Sequence, residues 1–215
     1  MASLTAVKRG AAILVLTAGL AALVVGCGGS SSSSDPTSTS TSADYAGATA
    51  NPAKPAPPLK LDNYSGQPVN IDSYHGKAVL VTFIYDHCPD VCPLIVSNLH
   101  AAQNQMSAAE RKQLQIIAVS VDPKGDTPQT VKKFLADHQM TGRMDYLIGS
   151  RPRLEQVWQN WNIVSKNDPS RKNPDAVEHS ALIYGISSTG EITTLYPANF
   201  KPDQIVHDVP KLASS

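Results

Sequence analysis

Between Ala78 and Tyr85 the chain reads AVLVTFIY, eight residues with no charge and only the hydroxyls of Thr82 and Tyr85 as polar groups. So short a run of β-branched and aromatic residues is the pattern of a strand buried on both faces, which belongs at the centre of a sheet covered by helices. The next segment narrows the choice further. Pro93 stands where a first-turn helix residue belongs, and Leu94, Ile95, Asn98, Leu99 and Ala102 continue at helical spacing. A second strand is expected over Leu114 to Val121, and Thr127 and Pro128 then open a helix that carries Val131, Phe134 and Leu135 on one face. Strand, helix, strand, helix implies parallel strands joined by right-handed crossovers.

Ser150, Arg151 and Pro152 open a further short helix running through Trp158. The run Ala181 to Ile186 (ALIYGI) is a third buried strand, turned by Ser187 to Gly190 into Glu191 to Tyr196 as a hairpin. Lys201, Pro202 and Asp203 start a terminal helix that Pro210 is expected to end. The fold class is α/β. Alternating strands and helices, then an antiparallel hairpin and a last helix, make the order of a thioredoxin-like fold, a central mixed sheet flanked by helices.

Appendages precede this domain. Lys8 and Arg9 lead into an apolar run from Ala11 to Val25 that falls short of the roughly 20 residues a bilayer span requires. Residues 1–26 read as a secretory signal. Its end, Val24, Val25, Gly26 and Cys27, resembles the lipobox of bacterial lipoproteins, which implies a lipid on Cys27 and a chain anchored to a membrane on its extracytoplasmic face. A plain secretory signal with an unmodified Cys27 is the alternative. Residues 27–57 are rich in Ser, Thr, Ala, Gly and Pro and poor in large apolar side chains, so they read as a disordered tether, with the domain over 58–213.

The chain has three cysteines. If Cys27 carries the lipid, Cys88 and Cys92 remain as a pair outside the cytoplasm, where a dithiol needs a particular task. With 18 basic and 18 acidic side chains and no basic patch, the chain carries no sign of nucleic-acid binding.

The pair lies in Tyr85-Asp86-His87-Cys88-Pro89-Asp90-Val91-Cys92-Pro93, directly after the central strand. On a helical turn, positions i and i+4 share a face, so CxxxC lets both sulfurs converge on one point. Two soft thiolates suit Cu(I) or zinc, and an added imidazole makes a set that holds copper in either oxidation state. His179, just before the strand that starts at Ala181, is the candidate third ligand. A structural disulfide between Cys88 and Cys92 is the plainer reading of the pair, but so short a loop removes little chain entropy. His87 is expected to aim away from the site, since neighbouring strand residues face opposite ways. His75, His100, His138 and His207 have no partner by spacing and read as surface residues.

Three segments resemble motifs of the Sco/SenC family: FIYDHCPDVCP, VSVDPKGDTP and VEHSALIYGISSTG, in order, within a similarity running from about residue 55 to 211. The resemblance implies a thioredoxin fold, copper bound by Cys88, Cys92 and His179, and a part in maturing the dinuclear copper site of cytochrome c oxidase, whose copper-bearing subunit is then the partner. Asp86 stands where many relatives have Thr, and Glu178 where Asp is common; neither is an expected ligand.

Asp122 and Asp126 read first as turn chemistry, with a partner-facing acidic loop as the alternative. Trp158, Trp161 and Phe134 read as core or its rim. Two functions compete, a copper metallochaperone and a thiol-disulfide reductase that keeps the acceptor's cysteines reduced and is itself recharged by a thiol reductant. A reductase has no use for His179, which favours the chaperone. A thiol peroxidase is disfavoured by Tyr85 and Pro89, and an electron carrier using bound copper stays open.

Overall fold

The computed structural model describes residues 44–167, 177–179 and 181–215. Strands β1 (Ala48–Pro55), β2 (Lys60–Asn63) and β3 (Pro68–Asn70) come first, followed by a 3-10 turn at Ile71–Tyr74 and by β4 (Ala78–Ile84). Helices α1 (Val91–Gln105) and α2 (Ala108–Gln113) lead to β5 (Leu114–Ser120), and α3 (Pro128–Asp137) leads to β6 (Asp145–Ile148). Then come α4 (Arg151–Asn160), the short β7 (Ser165–Asn167) and β8 (Val177–His179), the hairpin β9 (Leu182–Ile186) and β10 (Glu191–Pro197), and α5 (Pro202–Ser214).

Eight strands form one sheet in the order β1-β10-β9-β4-β5-β6-β2-β3. β4, β5 and β6 are parallel, and the strands beyond them on either side pair antiparallel. All seven residues of β4 are buried, as its uninterrupted apolar run requires. Thr82 is its one polar side chain, and its hydroxyl donates to the Leu182 carbonyl at 3.1 Å. The β9–β10 turn closes at Gly190, whose φ of +87° is open to glycine at little cost. Thr127 caps α3, its hydroxyl accepting the Thr130 N–H at 3.2 Å, as its place before Pro128 leads one to expect. Phe134, Trp158 and Trp161 are buried. Among the described residues no helix is long and apolar enough to cross a membrane.

Two expectations are revised. The first concerns the tether, which the composition of residues 27–57 extends to Pro57; Ala48–Pro55 is instead the edge strand β1, paired antiparallel with β10. It is almost wholly exposed, so main-chain pairing rather than side-chain burial holds it. Asp208, fully buried on α5, secures its start by accepting the N–H groups of Ala46 (2.8 Å) and Gly47 (3.0 Å) and the Tyr196 hydroxyl (2.7 Å). The same carboxylate lies 2.6 Å from His207 Nδ1, so His207 is exposed but partnered.

The second concerns Pro210, which lies within α5 rather than ending it. Proline in a helix interior forfeits one main-chain bond at a cost of about 3 kcal/mol. Here Val209 and Leu212 are buried on the helix's inner face, and the Leu212 carbonyl accepts the Ser188 N–H at 2.8 Å, so tertiary packing carries the helix past the proline.

Candidate metal centre

β4 delivers the chain to the cysteine loop, and the Cys88 N–H donates to the Tyr85 carbonyl at 3.4 Å, turning it out of strand geometry. α1 starts at Val91, so Cys92 sits in its first turn, where the helix dipole favours a thiolate. The Cys92 N–H points at Cys88 Sγ at 3.4 Å. This contact brings the cysteines together as CxxxC spacing requires. Cys88 is 7% exposed and Cys92 fully buried, both as thiols. The Cys92 pKa is pushed far up, first by its hydrogen bond with the Cys88 thiol, then by burial and by the charge Cys88 would carry. Two thiols this close do not ionise together without a cation between them. The donor set therefore fits a soft metal ion.

His179 ends β8, and its side chain lies outside the described residues. Its main chain pairs with Ser165 of β7, whose hydroxyl donates to the Val121 carbonyl at 2.9 Å. Val121 in turn donates its N–H to Ile84, the last residue of β4, at 3.0 Å. The backbone at His179 is thus tied to the same end of the sheet as the cysteine loop. Cys27 lies outside the described residues.

A second set of polar residues braces the loop. His87 Nδ1 lies 2.8 Å from Asp86 Oδ1 and its Nε2 lies 3.2 Å from Asp122 Oδ2, while the ring stands edge-on to Tyr85. Both ring nitrogens are thus engaged by carboxylates. Asp122 and Asp126 are 8% and 5% exposed, so they turn inward and brace the loop rather than face a partner. Asp126 accepts the Asp86 N–H at 2.9 Å and the Tyr146 hydroxyl at 2.9 Å. Its pKa is pushed up to about 7, chiefly by burial and further by the Asp86 charge, against the pull of its hydrogen bonds. The His87 pKa is raised: burial lowers it, but the bond to Asp86 and the charges of Asp122, Asp86 and Asp126 together outweigh that. Asp86 and Tyr146 do not stand out in the sequence as site residues. The DxxxD spacing of Asp122 and Asp126 is the signal that points toward them.

Residues 47–214 match the SCO1/SenC family model. The chain belongs to the SCO1/SenC family. Over 157 residues it is 28% identical to the SCO1 protein homolog of Bacillus subtilis, spanning 71% of this chain and 79% of that one. It also spans about half the length of several other curated relatives that it matches. Among solved structures, Bradyrhizobium japonicum ScoI with copper bound superposes with a TM-score of 0.60 at 29% identity, covering 72% of this chain and 97% of that one. BsSco, a member of the Sco family of cytochrome c oxidase assembly proteins in which a disulfide switch was identified, superposes with a TM-score of 0.62 at 26% identity, covering 75% and 95%. The thioredoxin-like fold expected from the order of elements is therefore established for this SCO1/SenC chain.

Proposed function

We propose that this SCO1/SenC chain binds copper through Cys88, Cys92 and His179 and delivers it to the dinuclear copper site of cytochrome c oxidase. In this reading lipid on Cys27 holds the chain at the extracytoplasmic face of the membrane. The observation that carries the copper site is the contact between the Cys92 N–H and Cys88 Sγ, which sets two thiols one helical turn apart at a helix start. Copper-bound ScoI and the oxidase-assembly role ascribed to the family of BsSco support it. Copper entry expels the thiol protons, and two thiolates with an imidazole form a three-coordinate site that an acceptor's ligands can enter one at a time.

The second reading is a thiol-disulfide reductase. Cys88 thiolate attacks a disulfide of the acceptor to give a mixed disulfide, Cys92 resolves it, and the acceptor leaves as a dithiol while a dithiol reductant restores the pair. Cys88 retains some exposure while Cys92 is fully buried, which favours Cys88 as the attacking residue. The test is copper titration of the reduced chain, followed by absorption and electron paramagnetic resonance, with Cys88→Ser, Cys92→Ser and His179→Ala in parallel. One tight equivalent with a sulfur-to-copper charge-transfer band, lost in both cysteine variants, is the expected result. His179→Ala is expected to weaken Cu(II) far more than Cu(I), which two thiolates hold alone. A reduced chain that ignores copper overturns the chaperone reading and leaves the reductase.

A further inference from the structure

The Asp86 side chain is 5% exposed; its Oδ1 meets His87 Nδ1 at 2.8 Å, and its Oδ2 has no hydrogen-bond partner among the described residues. An orphaned carboxylate oxygen in a desolvated position costs free energy unless a proton or a cation meets it. The groups around it are those that bind cations: one donor atom each from Asp86, His87 and Asp126 lies within 4.8 Å of the other two. Asp126 is itself 5% exposed, so two of the three ligands are held out of water.

We propose that Asp86, His87 and Asp126 form a second cation seat, distinct from the dithiol, for a divalent first-row ion of the zinc type. Imidazole with two carboxylates is a borderline-to-hard donor set, unlike the sulfurs of Cys88 and Cys92. His87 is oriented for it. Its Nε2 lies 3.2 Å from Asp122 Oδ2, an ion-pair contact that holds the ring beside that carboxylate, while the ring's hydrogen bond is made by the opposite nitrogen, 2.8 Å from Asp86 Oδ1. That nitrogen, Nδ1, faces Asp86, and a metal ion takes the place of its proton.

Ligand atoms around tetrahedral zinc stand about 3.3 Å apart, so the three groups must draw together on binding. His87, 41% exposed, has solvent to move into while keeping its carboxylate neighbours, and Asp86 Oδ2 gives up no bond by turning toward the ion. The exposed side of His87 also supplies the entry path and the position for a water as fourth ligand.

The test uses the full chain with Cys88→Ser, Cys92→Ser and His179→Ala, which removes the proposed copper ligands, titrated with Zn(II) by calorimetry. One saturable equivalent is expected. Adding Asp86→Asn, which keeps an acceptor for His87 and so preserves the fold, is expected to abolish uptake, and Asp122→Asn to weaken it at least tenfold through the loss of ring orientation. Metal-free circular dichroism of each variant confirms folding. Absence of zinc uptake, or uptake that survives Asp86→Asn, overturns the proposal. Neither outcome bears on the dithiol, whose test is the copper titration.

Discussion

Gly125→Ala is a severe test of how the second motif braces the cysteine loop. A Cβ at this position would stand 2.2 Å from His87 Cε1, 2.8 Å from His87 Nδ1 and 2.7 Å from Asp122 Oδ2. No Cβ survives at 2.2 Å, so something must give. The ring is the softest neighbour, since His87 is 41% exposed and has solvent to move into. In moving it leaves both Asp86 and Asp122. A charge-assisted hydrogen bond contributes about 1.5–3 kcal/mol when buried, but partial exposure of the ring discounts both contacts. Replacing glycine also narrows the unfolded ensemble, which returns about 0.4–1 kcal/mol. The net expectation is a destabilisation of about 1–3 kcal/mol, read by urea denaturation as a lower midpoint with an unchanged m-value. The decisive measurement is the double-mutant cycle with His87→Ala. With the ring gone, Gly125→Ala is expected to cost at least about 1 kcal/mol less. Equal cost in both backgrounds would refute the idea that this glycine is there to admit His87.

Two more predictions rest on buried carboxylates. Asp208→Ala is expected to lose about 3 kcal/mol by stranding the Tyr196 hydroxyl and two main-chain N–H groups, and limited proteolysis should then cut within residues 44–55 before the rest of the domain unfolds. Asp126, with its pKa raised from 3.8 to about 7 on folding, favours the neutral form in the native state, so its contribution is full below about pH 4 and is lost as pH rises through 7. His87, also raised, acts in the same direction, its contribution present below its ordinary pKa and lost as pH rises through the higher one. Between pH 5 and 8, Asp126→Asn should therefore gain about 2–3 kcal/mol relative to the parent chain in denaturation midpoints converted to free energy, and a constant difference across that range would count against the raised pKa.

How far the sequence is legible depends on the range over which each signal acts. β4 is readable because burial on both faces leaves no charged position in a strand of seven residues, and the cysteines because Pro93 and CxxxC spacing are local. α2 is also local, with Ser107 and Glu110 forming a capping box that the apolar pattern alone passes over. β1 carries no such signal: its residues face water, and the groups that hold it belong to β10 and to Asp208, 161 residues beyond Gly47. Gly47 hints at it only in retrospect, since a Cβ there would stand 2.4 Å from the Thr194 hydroxyl oxygen. Pro210 misleads because a local rule yields to the burial of Leu212.

The cysteine loop shows most plainly where local reading stops. Period-two alternation turns His87 away from the site, but alternation ends at Ile84, where β4 ends, and the Cys88 N–H bond to Tyr85 already belongs to a turn. Where His87 goes is decided instead by Asp122 and by the missing side chain of Gly125, both on the loop after β5. β4 and β5 are parallel neighbours in register from Ala78 opposite Leu114 to Ile84 opposite Ser120, so their following loops emerge side by side. Ser165 bonds the next residue, Val121, and carries the ribbon that ends in His179 to the same place. The backbones of three segments separated by tens of residues thus lie at the same end of the sheet because one parallel strand pair ends there, a consequence of the sheet register. A change that slips β5 against β4 would part the acidic loop and the His179 ribbon from the cysteines together.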